Sequence, residues 1–293
     1  MLLQISGETH RVAQDAVRKQ FHLRVQETSK PTATLDGVTP VALTIAGSDP
    51  SGGAGIQADL KTFHRMETYG EAVITLITVQ NTLGVTRVEV LDPDLVRQQI
   101  ESVISDIPPG AVKTGALGNA AVVAAVAAVA ATFTCPLVVD PVLFSTKGTP
   151  LLDAEGHQAL IELLFPHAFL LMPNLSEASD LAGFSVTNIP AMRKAAEALA
   201  KRGPKNVLVK GGHLQGEAVD ILFCDGKIHE FAASRINTSQ THGTGCTYSA
   251  AVTAELAKGT PLPDAVARAK TFITRAIQWA PGLGHGTGPL NHF

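Results

Sequence analysis

Near the end of the chain, THGTGCTYSAAVTAEL (241–256) sets two glycines around a threonine, then a cysteine at the start of an alanine-rich run suited to a helix. Gly243 and Gly245 have the backbone freedom to turn several N–H groups toward one point, and a helix beginning near Cys246 brings the positive end of its dipole there. That combination is an anion hole for a phosphoryl group in transfer. The same field lowers a thiol's pKa from its free value of about 8.5, so Cys246 is predicted to be a thiolate that takes a proton from a substrate hydroxyl. A small buried cysteine at a helix start is the alternative for the motif taken alone.

Other residues have the types such a transfer needs. Lys210 closes the apolar run NVLVK beside Gly211 and Gly212. A lysine ending a buried strand is costly without an anionic partner, and a nucleotide phosphate is such a partner. PNLSE (173–177) places Asn174 and Glu177 three apart at a strand-to-helix junction, and Asp140 ends the run LVVD. Oxygen ligands of that kind suit Mg2+, usually through waters; alone, Asn174 and Glu177 also read as a helix cap and its capping-box partner. Gln80, ending AVITLITVQ, carries a donor and an acceptor together, a match for one edge of an aminopyrimidine ring or, more simply, a strand cap. The turn GSDPSGGAGIQADLKT (47–62) holds four glycines with Asp49 and Asp59. It fits neither the P-loop nor the dinucleotide spacing, yet its small residues let backbone approach a ligand closely.

The elements that must position these groups follow from periodicity. Strand-length apolar runs occur at 41–47, 72–80, 111–115, 137–142, 169–174 and 206–212, with two more on either side of Asp225-Gly226. Helical patterns lie between them at 54–67, 94–106, 119–131, 154–164, 176–182, 190–202, 246–258 and 262–279. The alternation predicts an α/β fold: a mostly parallel central sheet, helices on both faces, and an antiparallel edge made by the Asp225-Gly226 hairpin. In such sheets ligands bind beyond the carboxyl ends of the strands, where the glycine-rich turns fall.

Composition bounds the rest. The chain has 293 residues, 45% of them hydrophobic, enough to bury a full α/β core. A net charge of -3 with scattered lysines and arginines gives no footprint for nucleic acid. The longest apolar stretch, 120–133, is alanine-heavy and shorter than a bilayer span, so a buried helix is expected and no membrane partner. Cys135, Cys224 and Cys246 are far apart and odd in number, which points to free thiols in a reducing compartment such as the cytoplasm. Residues 1–38 read as a polar extension with one short helix near 12–21; they lack the apolar core of a signal peptide, and no role can be argued for them. The folded domain is expected at 39–293.

AGSDPSGGAGIQADLKTF, QNTLGV, VVDPV, PNLSEA, VLVKGGH and THGTGC stand in the order and spacing of the hydroxymethylpyrimidine kinase / phosphomethylpyrimidine kinase family of thiamin biosynthesis, in the ribokinase-like superfamily. Residues 40–285 resemble that family throughout. Most ribokinase-like sugar kinases carry an aspartate where this chain, like the family, has cysteine. The resemblance implies a ribokinase-like fold, a homodimer, and ATP- and Mg2+-dependent phosphorylation of 4-amino-5-hydroxymethyl-2-methylpyrimidine and then of its monophosphate. It also implies roles. Gln80 binds the pyrimidine with Gly47, Asp59 and Val142 around it, and Lys210 contacts the ATP phosphates. Asp140, Asn174 and Glu177 organise the metal, and Gly243, Thr244, Gly245 and Cys246 form the anion hole and base. The chain departs from the family pattern at Thr114 and Ala116, where VKIGML is usual, and at Phe144, where small or aliphatic residues are common. A pyridoxal-phosphorylating branch is the alternative, and a catalytically silent pyrimidine-binding protein a more distant one, since Lys210, Glu177, Gly243, Gly245 and Cys246 are all in place.

Overall fold

The alternating strand and helix signals become one nine-stranded sheet in the computed structural model, which describes residues 39–145, 147–212, 214 and 216–293. The strands are β1 (Val41–Ser48), β2 (Tyr69–Asn81), β3 (Gly84–Val90), β4 (Ala111–Thr114), β5 (Leu137–Val139), β6 (Leu170–Leu171), β7 (Asn206–Val209), β8 (Ala218–Cys224) and β9 (Lys227–Ala233). They lie in the order β3-β2-β1-β4-β5-β6-β7-β8-β9. From β2 across to β7 the pairings are parallel, whereas β3 and the β8–β9 pair run antiparallel at the two edges. The short helix expected near 12–21 lies outside the described residues.

The central strands are apolar throughout because helices cover both faces. One face carries α2 (Pro93–Asp106), α3 (Ala120–Ala130), α4 (Ala154–Ala159), α5 (Leu175–Ala182) and α6 (Ile189–Ala200), whose Val96, Val126, Leu181 and Leu199 meet Leu43, Val112 and Val139 in the main core. The other face carries α1 (Gly55–Arg65), α7 (Thr244–Ala257) and α8 (Leu262–Gln278). Helix α7 is buried on every side from Thr247 to Leu256, between the sheet and the helices α1 and α8. A helix enclosed all round needs small and apolar residues all round, which its alanines supply. Local signals set the helix starts: Asp92 accepts from the amides of Asp94 and Leu95 ahead of Pro93, and Asn119 accepts from that of Val122.

Three expectations need correction. An antiparallel edge forms at both ends of the sheet, because Gly84–Val90 pairs with β2; its exposed Thr86, Arg87 and Glu89 hide the strand signal. The helix expected at 154–164 ends as a regular helix at Ala159 and continues as a π-helical turn, Leu160–Leu164. Helix α7 starts at Thr244, two residues before the predicted start. The hairpin turn is as expected: Asp225 and Gly226 both take positive φ, 49° and 73°.

After β1 the chain moves outward to β2 and β3, then returns past β1 to β4. That reversal opens a crevice at the carboxyl ends of β1 and β4, the place where such sheets bind ligands.

Candidate active site

A cleft of about 960 Å3 runs along the carboxyl ends of the parallel strands. At one end Gly47 and Gln80, each one residue before the end of β1 and β2, and Val142, which follows β5, all face the cleft. A side chain at position 47 would place its Cβ 2.6 Å from a methyl of Leu76, so glycine keeps this wall open. The loop after β1 is held by Asp49, whose Oδ1 accepts from the amide and hydroxyl of Ser51 at 2.9 and 2.7 Å and whose Oδ2 accepts from the amide of Ala54 at 2.9 Å. Burial disfavours the Asp49 charge, but bonds from His242 and Ser51 outweigh it and leave the pKa below the usual carboxylate value.

Asp59 does not reach this cleft. It is fully buried in α1, and its Oδ2 accepts from Lys113 Nζ and Thr44 Oγ1, both at 2.7 Å. Its expected place beside the pyrimidine is therefore corrected: helix periodicity turns it toward the sheet, where it answers the buried ammonium of β4. Burial disfavours the Lys113 charge, and the carboxylate of Asp59, with Asp140 further off, more than restores it.

At the other end of the cleft, Lys210 Nζ donates to Asp140 Oδ1 at 2.6 Å, and Ser249 Oγ to Asp140 Oδ2 at 3.0 Å. The buried partner that strand-end Lys210 demanded is thus Asp140 in the first instance. Burial opposes the Lys210 charge, and Asp140 and Glu177 hold it in place. Asn174 and Glu177 form the reciprocal capping box of α5: Asn174 Oδ1 accepts from the amide of Glu177, and Glu177 Oε2 from the amide of Asn174. Both residues still line the cleft. Burial first, then the charge of Asp140, push the Glu177 carboxyl up to about 7 against the pull of Lys210. Two carboxylates thus share one ammonium, an oxygen-rich set that suits a hard divalent cation completed by phosphate and water. Among the described residues no group of three or more His, Cys, Asp or Glu could hold a metal on protein ligands alone.

Of the two glycines that flank Thr244, Gly243 takes a left-handed conformation and Gly245 lies in the first turn of α7. Gly243 caps α7 with φ +80°, and a Cβ there would fall 1.8 Å from the carbonyl oxygen of Gly53. Thr244 N donates to Thr241 O and Thr247 N to Gly243 O. The amides of Gly245 and Cys246 remain as first-turn donors without an intrahelical partner. A Cβ on Gly245 would stand 3.6 Å from Lys210 Nζ and 3.7 Å from Asp140 Oδ2, so hole, ammonium and carboxylate surround one point.

Cys246 lines the same wall, but its chemistry differs from the expected thiolate. Burial raises its pKa to about 11; Lys113 pulls it down, while Asp59 and Asp140 push it up. Desolvation and two carboxylates overcome the helix dipole. At neutral pH the group is a thiol.

Two features of the cleft had weak sequence signals. His242 sits inside the quoted THGTGC motif, and its Nε2 lies 2.8 Å from Asp49 Oδ2 and 3.1 Å from the Gln80 amide. Lys270, buried on α8, donates to Asp220 Oδ2 at 2.7 Å, while Asp220 Oδ1 accepts from Gly211 N at 2.8 Å and so fixes the turn after Lys210. Lys270 stands four residues after Val266 and three before Ile273 on the buried stripe of α8, so helical periodicity places it inward although its charge alone suggests a solvated position.

A mostly parallel sheet with an anion hole, lysine and carboxylates converging at its carboxyl edge is the architecture of ribokinase-like small-molecule kinases. Residues 49–291 match the phosphomethylpyrimidine kinase family, and the chain belongs to it. It is 47% identical over 260 residues to the hydroxymethylpyrimidine/phosphomethylpyrimidine kinase of Rhizobium meliloti, covering 87% of this chain and 98% of that one. It is also 47% identical over 253 residues to the thiamine biosynthesis bifunctional protein ThiED of Geobacter sulfurreducens, covering 86% of this chain and about half, 52%, of that longer protein. Among solved structures, the phosphomethylpyrimidine kinase of Clostridium difficile superposes with a TM-score of 0.72 at 44% identity, over 81% of this chain and 99% of that one. The pyridoxal kinase of Bacillus subtilis, in an ADP complex, gives 0.80 at 38% identity, over 87% and 98%.

Proposed function

We propose that this chain transfers the γ-phosphoryl group of ATP to the hydroxymethyl oxygen of 4-amino-5-hydroxymethyl-2-methylpyrimidine, and in a second reaction to the resulting monophosphate, supplying the pyrimidine half of thiamin. The observation that carries the reading is the single cleft with Gln80 at one end and Gly245, Lys210 and Asp140 around one point at the other. An amide suits the amino and ring-nitrogen edge of the pyrimidine. The hole and the ammonium suit a phosphoryl group whose negative charge spreads over its oxygens during transfer.

Lys210 and the Gly245 and Cys246 amides bind and orient the transferring group. Asp140 and Glu177 are the residues that would hold Mg2+, which supplies charge neutralisation between the ATP phosphates and those carboxylates. The Cys246 thiol stands beside the hydroxyl as a hydrogen-bonding group. Because it is protonated at rest, the hydroxyl's proton leaves late, toward the incoming phosphoryl oxygens, as a loose transition state permits. The chain acts in the cytoplasm as a homodimer, for which the exposed Ile77 and Val79 on β2 provide an apolar face; no helix among the described residues is long and apolar enough to cross a membrane. Residues 1–38 are dispensable to the reaction.

The test is ATP consumption with hydroxymethylpyrimidine, its monophosphate, pyridoxal and a sugar side by side, with and without EDTA. The reading expects the two pyrimidines to be used, pyridoxal at least tenfold less efficiently, and all turnover to stop on chelation and return with Mg2+. A tenfold preference for pyridoxal would overturn the substrate assignment.

A further inference from the structure

Asp49, His242 and Gln80 form a chain of side chains at the pyrimidine end of the cleft, joining residues 193 and 162 positions apart. Asp49 and His242 are buried, 3% and 6% exposed. Counting protons along the chain fixes something that shape alone leaves open, since the two ends of a glutamine amide are alike in size. Asp49 already accepts three hydrogen bonds from Ser51 and Ala54 and is an ionised acceptor, so the 2.8 Å contact with His242 Nε2 requires an N–H on that nitrogen. The Gln80 atom 3.1 Å from the same Nε2 is the amide nitrogen as placed, which sets donor against donor; turning the amide by 180° brings its oxygen to that N–H and removes the conflict. A second count agrees. Thr78 Oγ1 lies 3.0 Å from Ser48 O and 3.2 Å from Gln80 Oε1 but has one hydrogen for these two acceptors; with the amide turned, Ser48 O takes that hydrogen and the Gln80 NH2 donates to Thr78 Oγ1.

We infer that the Asp49–His242 pair is an orientation latch for Gln80: it turns the amide oxygen toward His242 and the NH2 toward Thr78, and so selects a ring edge that pairs a nitrogen acceptor with an exocyclic amino donor. The inference rests on the proposed role of Gln80 as the pyrimidine ligand. One amide N–H and one oxygen lone pair remain for the ligand. In the latched sense the N–H meets an unprotonated ring nitrogen and the oxygen meets an amino group. Reversed, the same amide would suit an oxo group beside a ring N–H. His242 and Asp49 are therefore positioning residues that set amino-versus-oxo specificity. Sites built on paired donors and acceptors reject the mismatched analogue strongly, because their polar groups are otherwise left unpaired.

The experiment compares kcat/KM for 4-amino-5-hydroxymethyl-2-methylpyrimidine with that for its 4-oxo analogue in wild type, His242→Leu and His242→Gln, with Tm measured for each. Wild type should prefer the amino ring by about 100-fold or more. His242→Leu should reduce that ratio at least tenfold through KM for the amino ring, and His242→Gln, whose amide N–H can reach Asp49 and the Gln80 oxygen, should restore most of it. A ratio unchanged within threefold in a folded His242→Leu variant overturns the latch and leaves the substrate reading standing. A wild type that ignores both pyrimidines removes the substrate reading itself. Should His242→Leu fail to fold, the 15N shifts of the wild-type His242 ring decide: Nε2 protonated at pH 8 supports the latch, and an unprotonated Nε2 refutes it.

Discussion

Replacing Lys113 with methionine tests the buried pair under the active-site wall. Lys113 and Asp59 are both 0% exposed with Nζ and Oδ2 2.7 Å apart. At an effective dielectric constant of about 20, unit charges at that separation attract by roughly 6 kcal/mol, of which desolvation of both ions offsets a large part. The loss on mutation is nevertheless large, because methionine fills the volume but leaves the Asp59 carboxylate in the core with only the Thr44 hydroxyl. Removing one partner of such a pair costs about 3–5 kcal/mol. For a domain of this size that is a Tm drop of roughly 10 °C. Urea unfolding followed by far-UV circular dichroism reads it directly. The double variant Lys113→Met/Asp59→Leu should recover most of the loss, giving a coupling energy of about 2 kcal/mol or more. A single-variant cost under about 1 kcal/mol would refute the assignment of a charged structural pair. So would an Asp59→Asn protein of wild-type stability with a raised KM for pyrimidine, which would return Asp59 to the substrate.

Further outcomes follow from the anion hole, the thiol and one isolated acid. Gly245→Ala should fold with wild-type stability, since its Cβ meets Lys210 and Asp140 at ordinary contact distance, yet lose about 100-fold in kcat/KM for ATP because the methyl occupies the phosphoryl position; Gly243→Ala should lose stability as well, its Cβ striking the Gly53 carbonyl. Equal unfolding midpoints for the two variants would contradict this. Alkylation of Cys246 by iodoacetamide should rise about tenfold per pH unit from pH 7 to 10, following a thiol whose pKa is about 11, and a plateau by pH 8 would restore the thiolate. Glu71 is 8% exposed, its Oε2 has no hydrogen-bond partner among the described residues, and burial followed by the charge of Asp106 raises its pKa to about 7. The folded state therefore binds a proton that the unfolded chain, with a pKa near 4.3, has already released, so stability falls as pH rises between those values. Glu71→Gln should flatten that slope and raise stability at pH 8 by about 1 kcal/mol, discounted for the solvent that still reaches the carboxyl. An unchanged pH–Tm profile would assign the slope elsewhere.

The layered fold was readable because strands buried on both faces and helices with capped starts leave regular traces: β1, α2 and the Asp225-Gly226 turn stand close to where periodicity put them. Strand β3 was not, since a half-exposed edge strand alternates valine with arginine and glutamate as a surface loop might. Within the site, Gly47, Gln80, Val142, Asp140, Asn174, Glu177, Lys210 and residues 243–246 sit at turn or strand-end positions that local sequence marks, and they line one cleft. Partnership was harder to read. Asp59 is four residues from the cleft loop yet faces the core, and whether Lys210 meets a phosphate or Asp140 depends on β5 lying two strands from β7. The Cys246 pKa is not legible locally for a related reason: its helix position is local, but burial and the carboxylates that overcome the dipole come from elements far away in the chain.

The Asp49–His242 bond also bears on how the molecule comes together over time. Its two ends are separated by 193 positions, so the segment between them must fold and dock before the bond can close, and long closures of this kind are paid for late. A chain emerging from the ribosome holds its glycine-rich loop and Gln80 long before α7 exists to meet them. The pyrimidine end is thus absent from every partly made chain, and a ligand recruited there ties early-made sequence to late-made sequence. Bound pyrimidine should accordingly slow whole-domain unfolding and protease cleavage throughout the chain, and protect far more than the loops it touches.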